Sequence, residues 1–391
     1  MPLSRWLDLP ATTMSLAEIE SLPLWQLIVV GIFVVSLLVQ LFYYVFFFLR
    51  LALYKPVHAE VEVRPVSVII CAWNEEDNLK QNLQLILEQD HPEYEVIVVN
   101  DHSRDETDLL LQAWQQKYNH LRVINLTTEN TQMRGKKFAI SMGIKGARYD
   151  NLVFTDADCY PKSKQWLTCM AQGLSDKEKI VLGYGSFEKK KGLLNRLYRY
   201  ESLHIAMQYF SYALAGFPYM GVGRNLAYNK ELFFKTKGFI KHRHVASGDD
   251  DLLVNEVATA ANTCIEVRKE AHTVSQTPEN FSAWILQKRR HLSTGGYYKI
   301  SSKIFLGLFT LFHLLFYMSF FVVLSSTTMY WLALCGIGLK WIGHLSIITV
   351  VARLLDEDDL LLFSLIGDFF TPFFNTALAV SNRVKSPIRW R

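Results

Sequence analysis

The sequence has few cysteines and lacks the glycine-rich loops of two large nucleotide-binding classes. Its five cysteines show no paired or metal-ligand spacing, which disfavours a disulfide framework and a cysteine-based metal site. No Gly-x-Gly-x-x-Gly follows the first predicted strand, and Gly-x-x-x-x-Gly-Lys-Ser/Thr does not occur. Dinucleotide oxidoreductases and P-loop ATPases are therefore disfavoured.

Charge is absent from one long stretch near the start of the sequence. Leu24 to Leu49 contains no charged residue and is long enough to span a bilayer. No small-residue cleavage site is evident after it, so we expect an uncleaved anchor instead of a signal peptide.

Two further apolar regions lie in the last quarter of the chain. The first runs from near Ile304 to Val351 with a polar break at residues 325–328, and it predicts a hairpin of two spans. The second, residues 360–380, is weaker because it contains Asp368 and Pro372. We expect it to be a re-entrant or interfacial helix kinked at the proline, or else a third C-terminal membrane helix.

Basic residues flank the segment between these apolar regions. They are Arg50, Lys55 and Arg64 after the first region, and Lys288, Arg289, Arg290, Lys299 and Lys303 before the second. The positive-inside rule then predicts a cytoplasmic middle segment, with residues 1–23 outside the cell membrane. Four of the five cysteines fall in this segment, where reduced thiols are the default. The net charge of +4 is modest, and no nucleic-acid partner is expected.

Strands and helices alternate after Pro65. Strands are predicted at 66–71, 94–99, 121–125 and 152–155, with helices between them, which indicates βαβ units and a mostly parallel sheet. In such sheets the residues just past the strand ends line one crevice. Here they are Asn74, Glu75, Asp101, Ser103, Asp156 and Asp158.

Asp156 and Asp158 are the centre of this arrangement. They follow a buried strand and are two residues apart, so their side chains point the same way if the strand continues. Two carboxylates there suit Mg²⁺ or Mn²⁺, and the metal in turn suits a diphosphate. An Asp-x-Asp turn that merely closes the strand is the alternative. The nearby basic loop of Arg134, Lys136 and Lys137 favours a site shared by a metal and phosphates.

Three later motifs also carry polar groups that could act on a ligand. Asp249, Asp250 and Asp251 precede a helical stretch, where they could cap the helix or raise one another's pKa and supply a general base. Gln287 and Arg290 share one face of a helix, and a basic membrane-flanking helix would explain only the arginine. Gly221-Val-Gly223 would allow close backbone approach to a ligand. The basic, aromatic helix around 203–217 fits either a membrane surface or a buried position.

The order of these motifs resembles membrane-bound family 2 inverting glycosyltransferases over roughly Pro65 to Gly295. The resemblance implies an α/β fold of the GT-A type, a Rossmann-like mostly parallel sheet, with transmembrane helices. It implies that Ala72, Trp73, Glu75, Asp101, Lys136 and Asp156 bind the nucleotide-sugar donor. By the same resemblance Asp156 and Asp158 hold Mn²⁺ or Mg²⁺, Asp249 is the base with Asp250 as runner-up, and Gly223, Asn225, Gln287, Arg290 and His291 serve the diphosphate and acceptor.

Two positions depart from the family pattern. His291 stands where the family has tryptophan, and Gly248 where it has glutamate. In the family, that tryptophan commonly forms the floor of the acceptor site. His291 at this position therefore suggests a different acceptor or a non-processive enzyme.

The sequence therefore predicts transfer from a UDP- or GDP-sugar to a lipid or lipid-linked acceptor at the cytoplasmic leaflet of the inner membrane. A processive polysaccharide synthase subunit, a non-catalytic membrane scaffold that binds nucleotide or glycan, and a nucleotidyltransferase are the alternatives. The expected organisation is an outer segment at 1–23, an anchor at 24–50, the GT-A domain at 65–300, a hairpin at 304–352, and the C-terminal helix with a basic tail at 358–391.

Overall fold

The computed structural model describes residues 23–56, 64–126, 135–174, 178–245, 247–278 and 280–384. The expected outer segment up to residue 22, Arg134 and the basic tail from residue 385 lie outside these ranges.

A seven-stranded mixed sheet forms the middle of the chain, in the order β3-β2-β1-β4-β8-β6-β9. Its strands are β1 (Val66–Ala72), β2 (Tyr94–Asn100), β3 (Leu121–Asn125), β4 (Asn151–Phe154), β6 (Ile180–Gly183), β8 (Leu226–Asn229) and β9 (Thr263–Glu266). β8 runs antiparallel to both of its neighbours, and the other pairs are parallel. The predicted mostly parallel sheet is thus confirmed.

A smaller sheet stands beside the large one and pairs β5 (Cys159–Pro161), β10 (Thr273–Ser275) and β7 (Gly185–Phe187). The helices of the domain are α2 (Glu76–Leu87), α3 (Thr107–Lys117), α4 (Lys136–Gly146), α5 (Trp166–Gln172), α6 (Leu193–Leu214), α7 (Lys230–Lys235), α8 (Asp251–Val257) and α9 (Phe281–Leu292).

Both faces of the large sheet are covered, which explains why its central strands are almost wholly apolar. Val68 and Val98 pack with Leu83 of α2 on one face. Ile69, one residue along β1, turns to the other face and packs in the cluster that contains Ile144 of α4. The alternation of strand side chains thus builds two hydrophobic cores from one sheet.

Four long apolar helices complete the fold. They are α1 (Leu24–Ala52, with a π-helical turn at Tyr44–Phe48), α10 (Ile300–Leu324), α11 (Tyr330–Leu354) and α12 (Phe363–Val384). All four are long and apolar enough to cross a membrane by length and composition, α12 over Phe363–Asn382. α1 packs on α10, where the rings of Phe33 and Phe316 stack with centroids 5.1 Å apart.

The helix α6 joins the α/β domain to the apolar helices. Its Tyr209 hydroxyl donates to the carbonyl oxygen of Gly183 in the sheet at 2.7 Å, while its Tyr212 ring stacks on Phe47 of α1 with centroids 4.3 Å apart. Of the two positions that its sequence allowed, α6 therefore takes the buried one, between the sheet and the helix bundle.

Both ends of α12 contact the α/β domain. Just before α12 begins, Glu357 accepts a hydrogen bond from Arg199 Nε of α6 at 2.8 Å. At its other end, Asn382 Oδ1 accepts from Arg289 Nε of α9 at 2.8 Å. Between them the helix continues through Pro372. α12 therefore lies along the α/β domain from end to end.

A cluster of ionisable groups is buried among the apolar helices. Lys340 forms an ion pair with Asp368. His313 Nε2 lies 3.1 Å from the other oxygen of Asp368, and the Tyr317 hydroxyl donates to the carboxylate as well. Charges at this depth are costly unless they are paired, and here Lys340 and Asp368 pair with each other.

Candidate active site

The loops that follow β1 and β2 are fastened to each other. The Asn74 amide N–H donates to Ser103 Oγ at 2.9 Å, and its side-chain oxygen accepts from the Arg104 amide at 2.7 Å. Asn74 has a φ of 55°, a left-handed conformation that asparagine tolerates better than most residues. The Asp101 amide donates to the carbonyl oxygen of Ala72 at 2.8 Å. The predicted donor-binding residues on these two loops are thereby held side by side.

Glu75 lies at the start of α2, facing the strand-end aspartates. Burial, and the charges of Asp158 and Asp156, raise the pKa of Glu75 to about 6, although a hydrogen bond from Asn78 opposes the shift. Trp73, which lies two positions before Glu75, is partly exposed at the same edge of the sheet. Several carboxylates thus face a common space at the ends of β1 and β4.

Asp156 and Asp158 lie together directly after β4. Three potential ligand atoms lie within 4.8 Å of one another, one each from Asp156, Asp158 and Cys159. Burial and the neighbouring Asp156 charge raise the pKa of Asp158, as expected when two carboxylates meet without enough positive charge between them. Burial also raises the pKa of the Cys159 thiol, which keeps its proton and donates it to Asp158 Oδ1 at 3.3 Å. The two carboxylates therefore fit a divalent cation, with oxygen and not sulfur as ligand.

Lys136 connects this pair with a second group of aspartates. Its ammonium lies 2.7 Å from Asp156 Oδ1 and 3.2 Å from Asp249 Oδ2. Gly135 before it has a φ of 107°, which a residue with a Cβ rarely adopts, and α4 starts there. Burial disfavours the charged form of Lys136, but Asp156 and Asp249 outweigh it and raise its pKa. Lys136 is therefore a fixed positive charge between two carboxylates.

Asp249 and Asp250 have different surroundings although they are adjacent. Burial and the charges of Asp249 and Asp251 raise the pKa of Asp250 to about 7. Burial would also raise the pKa of Asp249, but the Lys136 ammonium holds it below its ordinary value. Asp250 accepts the amide N–H of Gly223 and that of Asp251, both at 2.7 Å. It caps α8, as one of the two sequence interpretations proposed.

Asp251 is a part of the site that the sequence analysis did not assign. It is buried, and its carboxylate accepts hydrogen bonds from Thr294 and, at 2.6 Å, from the Tyr298 hydroxyl. These contacts tie the acidic segment to the chain just before α10. In the sequence, Asp251 is one of three consecutive aspartates. Nothing in that pattern distinguishes this hydrogen-bonded carboxylate from the two before it.

Asn225 is placed differently from the other predicted residues. Its side chain is fully buried; its amide donates to the carbonyl oxygens of Tyr184 and Ala271, both at 2.8 Å, and its oxygen accepts from Trp166 Nε1 at 3.0 Å. These buried hydrogen bonds of Asn225 hold the Gly221–Asn225 loop in place from the interior of the domain. Gly223, in contrast, faces the acidic segment, where a Cβ would lie 3.3 Å from Asp250 Oδ2.

The predicted residues of α9 face a large cavity of about 1170 Å³. Gln287, Arg290 and His291 all line it. His291 is exposed to this space, and the surrounding protein and the adjacent Arg290 charge lower the pKa of its imidazole. Lys288 beside them is paired with Glu201 of α6 at 2.6 Å.

The cavity brings most of the predicted residues together and extends beyond them. At one end it is lined by Lys136, Asp156, Gly223, Asp249, Asp250, Gln287, Arg290 and His291. From there it continues between α6, α10 and α12, past Leu306, Phe309, Ile366 and Phe370. The sequence analysis missed this second half, because its lining side chains are dispersed over three helices and have no motif. A polar end and a long apolar end therefore form one space.

The α/β domain resembles known glycosyltransferases in sequence and in fold. The family described as glycosyl transferase family 2 matches residues 67–237. A mannosyltransferase from Pyrobaculum calidifontis, PcManGT, solved in complex with GDP-Man and Mn²⁺, superposes with a TM-score of 0.56 at 19% sequence identity, covering 89% of this chain and 99% of that one. The domain has the GT-A fold.

Curated relatives agree with the family assignment. The probable glycosyltransferase YdaM of Bacillus subtilis (strain 168) is 27% identical over 246 residues, which are 59% of this chain and 54% of that protein. A poly-beta-1,6-N-acetyl-D-glucosamine synthase of Staphylococcus epidermidis is 34% identical over 112 residues, 28% of this chain and 25% of that protein. The chain thus spans about half or less of the length of these relatives. Residues 67–237 are a family 2 glycosyltransferase domain.

Proposed function

We propose that the protein transfers a sugar, with inversion, from a UDP- or GDP-sugar to a lipid or lipid-linked acceptor at the cytoplasmic leaflet of the inner membrane. The observation that carries this proposal is the single cavity that begins at Asp156 and Asp249 and ends between the apolar helices α10 and α12. A polar end suits a sugar and a diphosphate, and an apolar end suits the hydrocarbon of a lipid.

The donor would bind at the edge of the sheet where β1, β2 and β4 end. Asp101 and the turn from Ala72 to Glu75 would contact the base and ribose. Asp156 and Asp158 would hold Mn²⁺ or Mg²⁺, which takes up negative charge on the leaving diphosphate. Lys136, whose ammonium is fixed beside Asp156, adds a positive charge at the same place.

Asp249 would act as the base. One of its oxygens pairs with Lys136, and among the described residues no side-chain partner takes the other, which is left for an acceptor hydroxyl. Both oxygens of Asp250 instead accept backbone N–H groups, so Asp250 is the runner-up. Removal of the hydroxyl proton as the oxygen attacks the anomeric carbon gives inversion in one displacement. Gln287, Arg290 and His291 would orient the acceptor and the diphosphate.

The membrane arrangement follows from the basic flanks and from the contacts of α12. We propose that α1, α10 and α11 cross the membrane. α12 would be a re-entrant helix that does not cross, since both of its ends contact the α/β domain through Arg199 and Arg289, while Asp368 near its start pairs with Lys340 midway along α11. This placement puts the catalytic domain and the C-terminal tail on the same side.

A processive polysaccharide synthase is the second candidate, because a relative of 34% identity over 112 residues carries that name. The two proposals differ in the product. Detergent-solubilised protein should be incubated with a panel of UDP- and GDP-sugars, a divalent metal and a total lipid extract. A radiolabelled product that partitions into organic solvent supports a lipid acceptor. A water-soluble product that lengthens with time would support the synthase and contradict our proposal.

A further inference from the structure

Arg224 lines the polar end of the cavity, but it belongs to none of the groups assigned to the reaction so far. Its carbonyl oxygen accepts a hydrogen bond from Thr155 Oγ1 at 3.1 Å, and Thr155 directly precedes Asp156. On the other side, the amide N–H of Gly223 donates to Asp250 Oδ2 at 2.7 Å. The backbone of Arg224 is therefore fixed between the strand-end aspartates and the acidic segment at 249–251.

Three contacts hold the side chain of Arg224. Its Nη2 donates to Ser202 Oγ of α6 at 2.9 Å, and its Cζ lies 4.5 Å from the centre of the Phe187 ring, a cation–π contact. The stem passes so close to Gly185 that a Cβ there would lie 2.6 Å from Arg224 Cδ. Nε is enclosed without a partner among the described residues, whereas Nη1 has no partner in that part of the chain but remains accessible at the cavity wall. The guanidinium therefore has an N–H group to offer a ligand.

Arg224 also has no counter-ion among the described residues. By contrast, Arg268, which is half-buried as Arg224 is, forms an ion pair with Glu266. A charge that is partly removed from water is costly unless it is paired. Arg224 therefore suits a position where a bound ligand supplies the negative charge.

The other charges at the polar end indicate which ligand this is. A divalent cation would be balanced by Asp156 and Asp158, and the Lys136 ammonium is shared between Asp156 and Asp249. The diphosphate of a nucleotide sugar would bring two more negative charges to this end of the cavity. Further cations are therefore needed to balance them.

Arg224 and Arg290 together supply two such charges. Both line the cavity. The surrounding protein lowers the pKa of the His291 imidazole, and the charges of Arg290 and Arg224 lower it further, so both guanidinium groups lie near this ring. A guanidinium can donate two parallel hydrogen bonds to one phosphate. The two arginines therefore match a diphosphate in charge and in hydrogen-bonding capacity.

We propose that Arg224 binds the diphosphate of the nucleotide-sugar donor. This inference rests on the proposed function and adds to it a donor-binding residue. During transfer the bond between the anomeric carbon and the phosphate oxygen breaks, and its electron pair stays on that oxygen. The acceptor oxygen forms the new bond and gives its proton to Asp249. Arg224 keeps its own protons and balances the charge that develops on the leaving nucleoside diphosphate.

The test is calorimetric binding of UDP and GDP, with Mn²⁺, to the purified full-length protein in nanodiscs, where no turnover is needed. Arg224→Gln should raise the Kd of the nucleotide that the wild type binds by about 10- to 100-fold, the range for a hydrogen bond to a charged group. Arg224→Lys, which keeps the charge but not the planar fork, should recover part of the loss. Arg196→Gln, at an exposed position of α6 outside the cavity, is the matched control and should leave the Kd unchanged.

Ser202→Ala removes the partner of Nη2 and should raise the Kd by about 2- to 10-fold with the charge of Arg224 intact. Thermal unfolding without nucleotide reports whether each variant is folded. Uridine and guanosine, which lack phosphates, should compete equally well in Arg224→Gln and in the wild type. Weaker competition by the nucleoside in Arg224→Gln would show that Arg224 only supports the fold and would overturn the inference.

Two other results separate this inference from the proposed function. An unchanged Kd for the nucleotide in Arg224→Gln, or a rise only in the KM for a phosphate-bearing acceptor, would overturn the inference and leave the proposed function standing. Wild-type protein that binds neither UDP nor GDP would overturn the proposed donor class, and this inference with it.

Discussion

Asp249 and Asp250 show how two adjacent side chains of one type acquire different chemistry. Lys136 lies 3.2 Å from Asp249 and keeps that carboxylate ionised, whereas Asp250 has no such partner, and burial raises its pKa to about 7. A general base must be ionised to accept a proton. The two candidates therefore predict different dependence of activity on pH.

With Asp249 as the base, kcat/KM should stay level as the pH falls through 7 and decline only in the acid range, below the ordinary carboxylate pKa. With Asp250 as the base, activity would already fall by half near pH 7. Initial rates between pH 5 and 8.5 at saturating metal distinguish the two. Asp249→Asn should lower kcat by at least about 100-fold, the usual contribution of a general base, and a smaller loss than for Asp250→Asn would contradict our assignment.

For individual residues, the sequence predicted which side chains lie near one another but not the role of each side chain. Strand-end position was enough to bring Asp101, Asp156 and Asp158 to one edge, because carboxyl ends of parallel strands meet there. The burial of Asn225 and the anchoring of Asp251 depend on contacts with Trp166 and Tyr298. Those contacts join distant parts of the chain, and no local pattern encodes them.

Among the elements, the connection between α11 and α12 is held to α6 by a buried ion pair. Arg199 is 2% exposed and Glu357 fully buried, with Arg199 Nη2 2.5 Å from Glu357 Oε2. Asp359, half exposed, also pairs with Arg199. Since α6 lines the cavity, this pair fixes one wall of the cavity relative to the apolar helices.

Arg199→Met should destabilise the protein by about 3 kcal/mol, because it leaves a buried carboxylate without its counter-ion. Burial already raises the pKa of Glu357 to about 7, and loss of the arginine would raise it further. A folded-state pKa above the unfolded value favours folding at low pH and loses that contribution as the pH rises. Thermal unfolding should therefore show a larger loss for Arg199→Met at pH 8 than at pH 6.

Arg196→Met, an exposed position on the same helix, is the matched control and should change the unfolding temperature little at either pH. The double variant Arg199→Met, Glu357→Gln should lose the difference between pH 8 and pH 6. If that difference persisted in the double variant, Glu357 would not be its source.

The sequence predicted helices and strands correctly where the spacing of apolar residues was regular. It could not predict the environment of an element where contacts with distant parts of the chain determine that environment. The alternation of strands and helices and the apolar runs of α1, α10 and α11 follow from composition and spacing alone. The sequence of α6 was compatible with two environments, and only its contacts with Gly183 and Phe47 choose between them. The orientation of α12 likewise depends on Arg199 and Arg289.

For the whole molecule, the position of α12 predicts the side on which the chain ends. A reporter that is active only in the cytoplasm should be active when fused to the C-terminus. It should be inactive when fused after Thr327 in the turn between α10 and α11, the internal control. A reporter of the opposite preference should give the reverse pattern. Activity of the periplasmic reporter at the C-terminus would show that α12 crosses the membrane and would contradict the proposed arrangement.

The proposed function depends on the whole chain. It requires a family 2 glycosyltransferase domain, a metal site at Asp156 and Asp158, and a cavity that continues between the apolar helices. The most direct test is metal-dependent consumption of a nucleotide sugar by the purified protein, with Asp158→Ala beside the wild type. Glu231→Ala, an exposed carboxylate of α7, is the matched control. We predict that one donor is consumed only with Mn²⁺ or Mg²⁺, and that Asp158→Ala lowers the rate at least about 100-fold while Glu231→Ala does not. Equal rates for Asp158→Ala and the wild type, or turnover unaffected by chelation of the metal, would contradict the account.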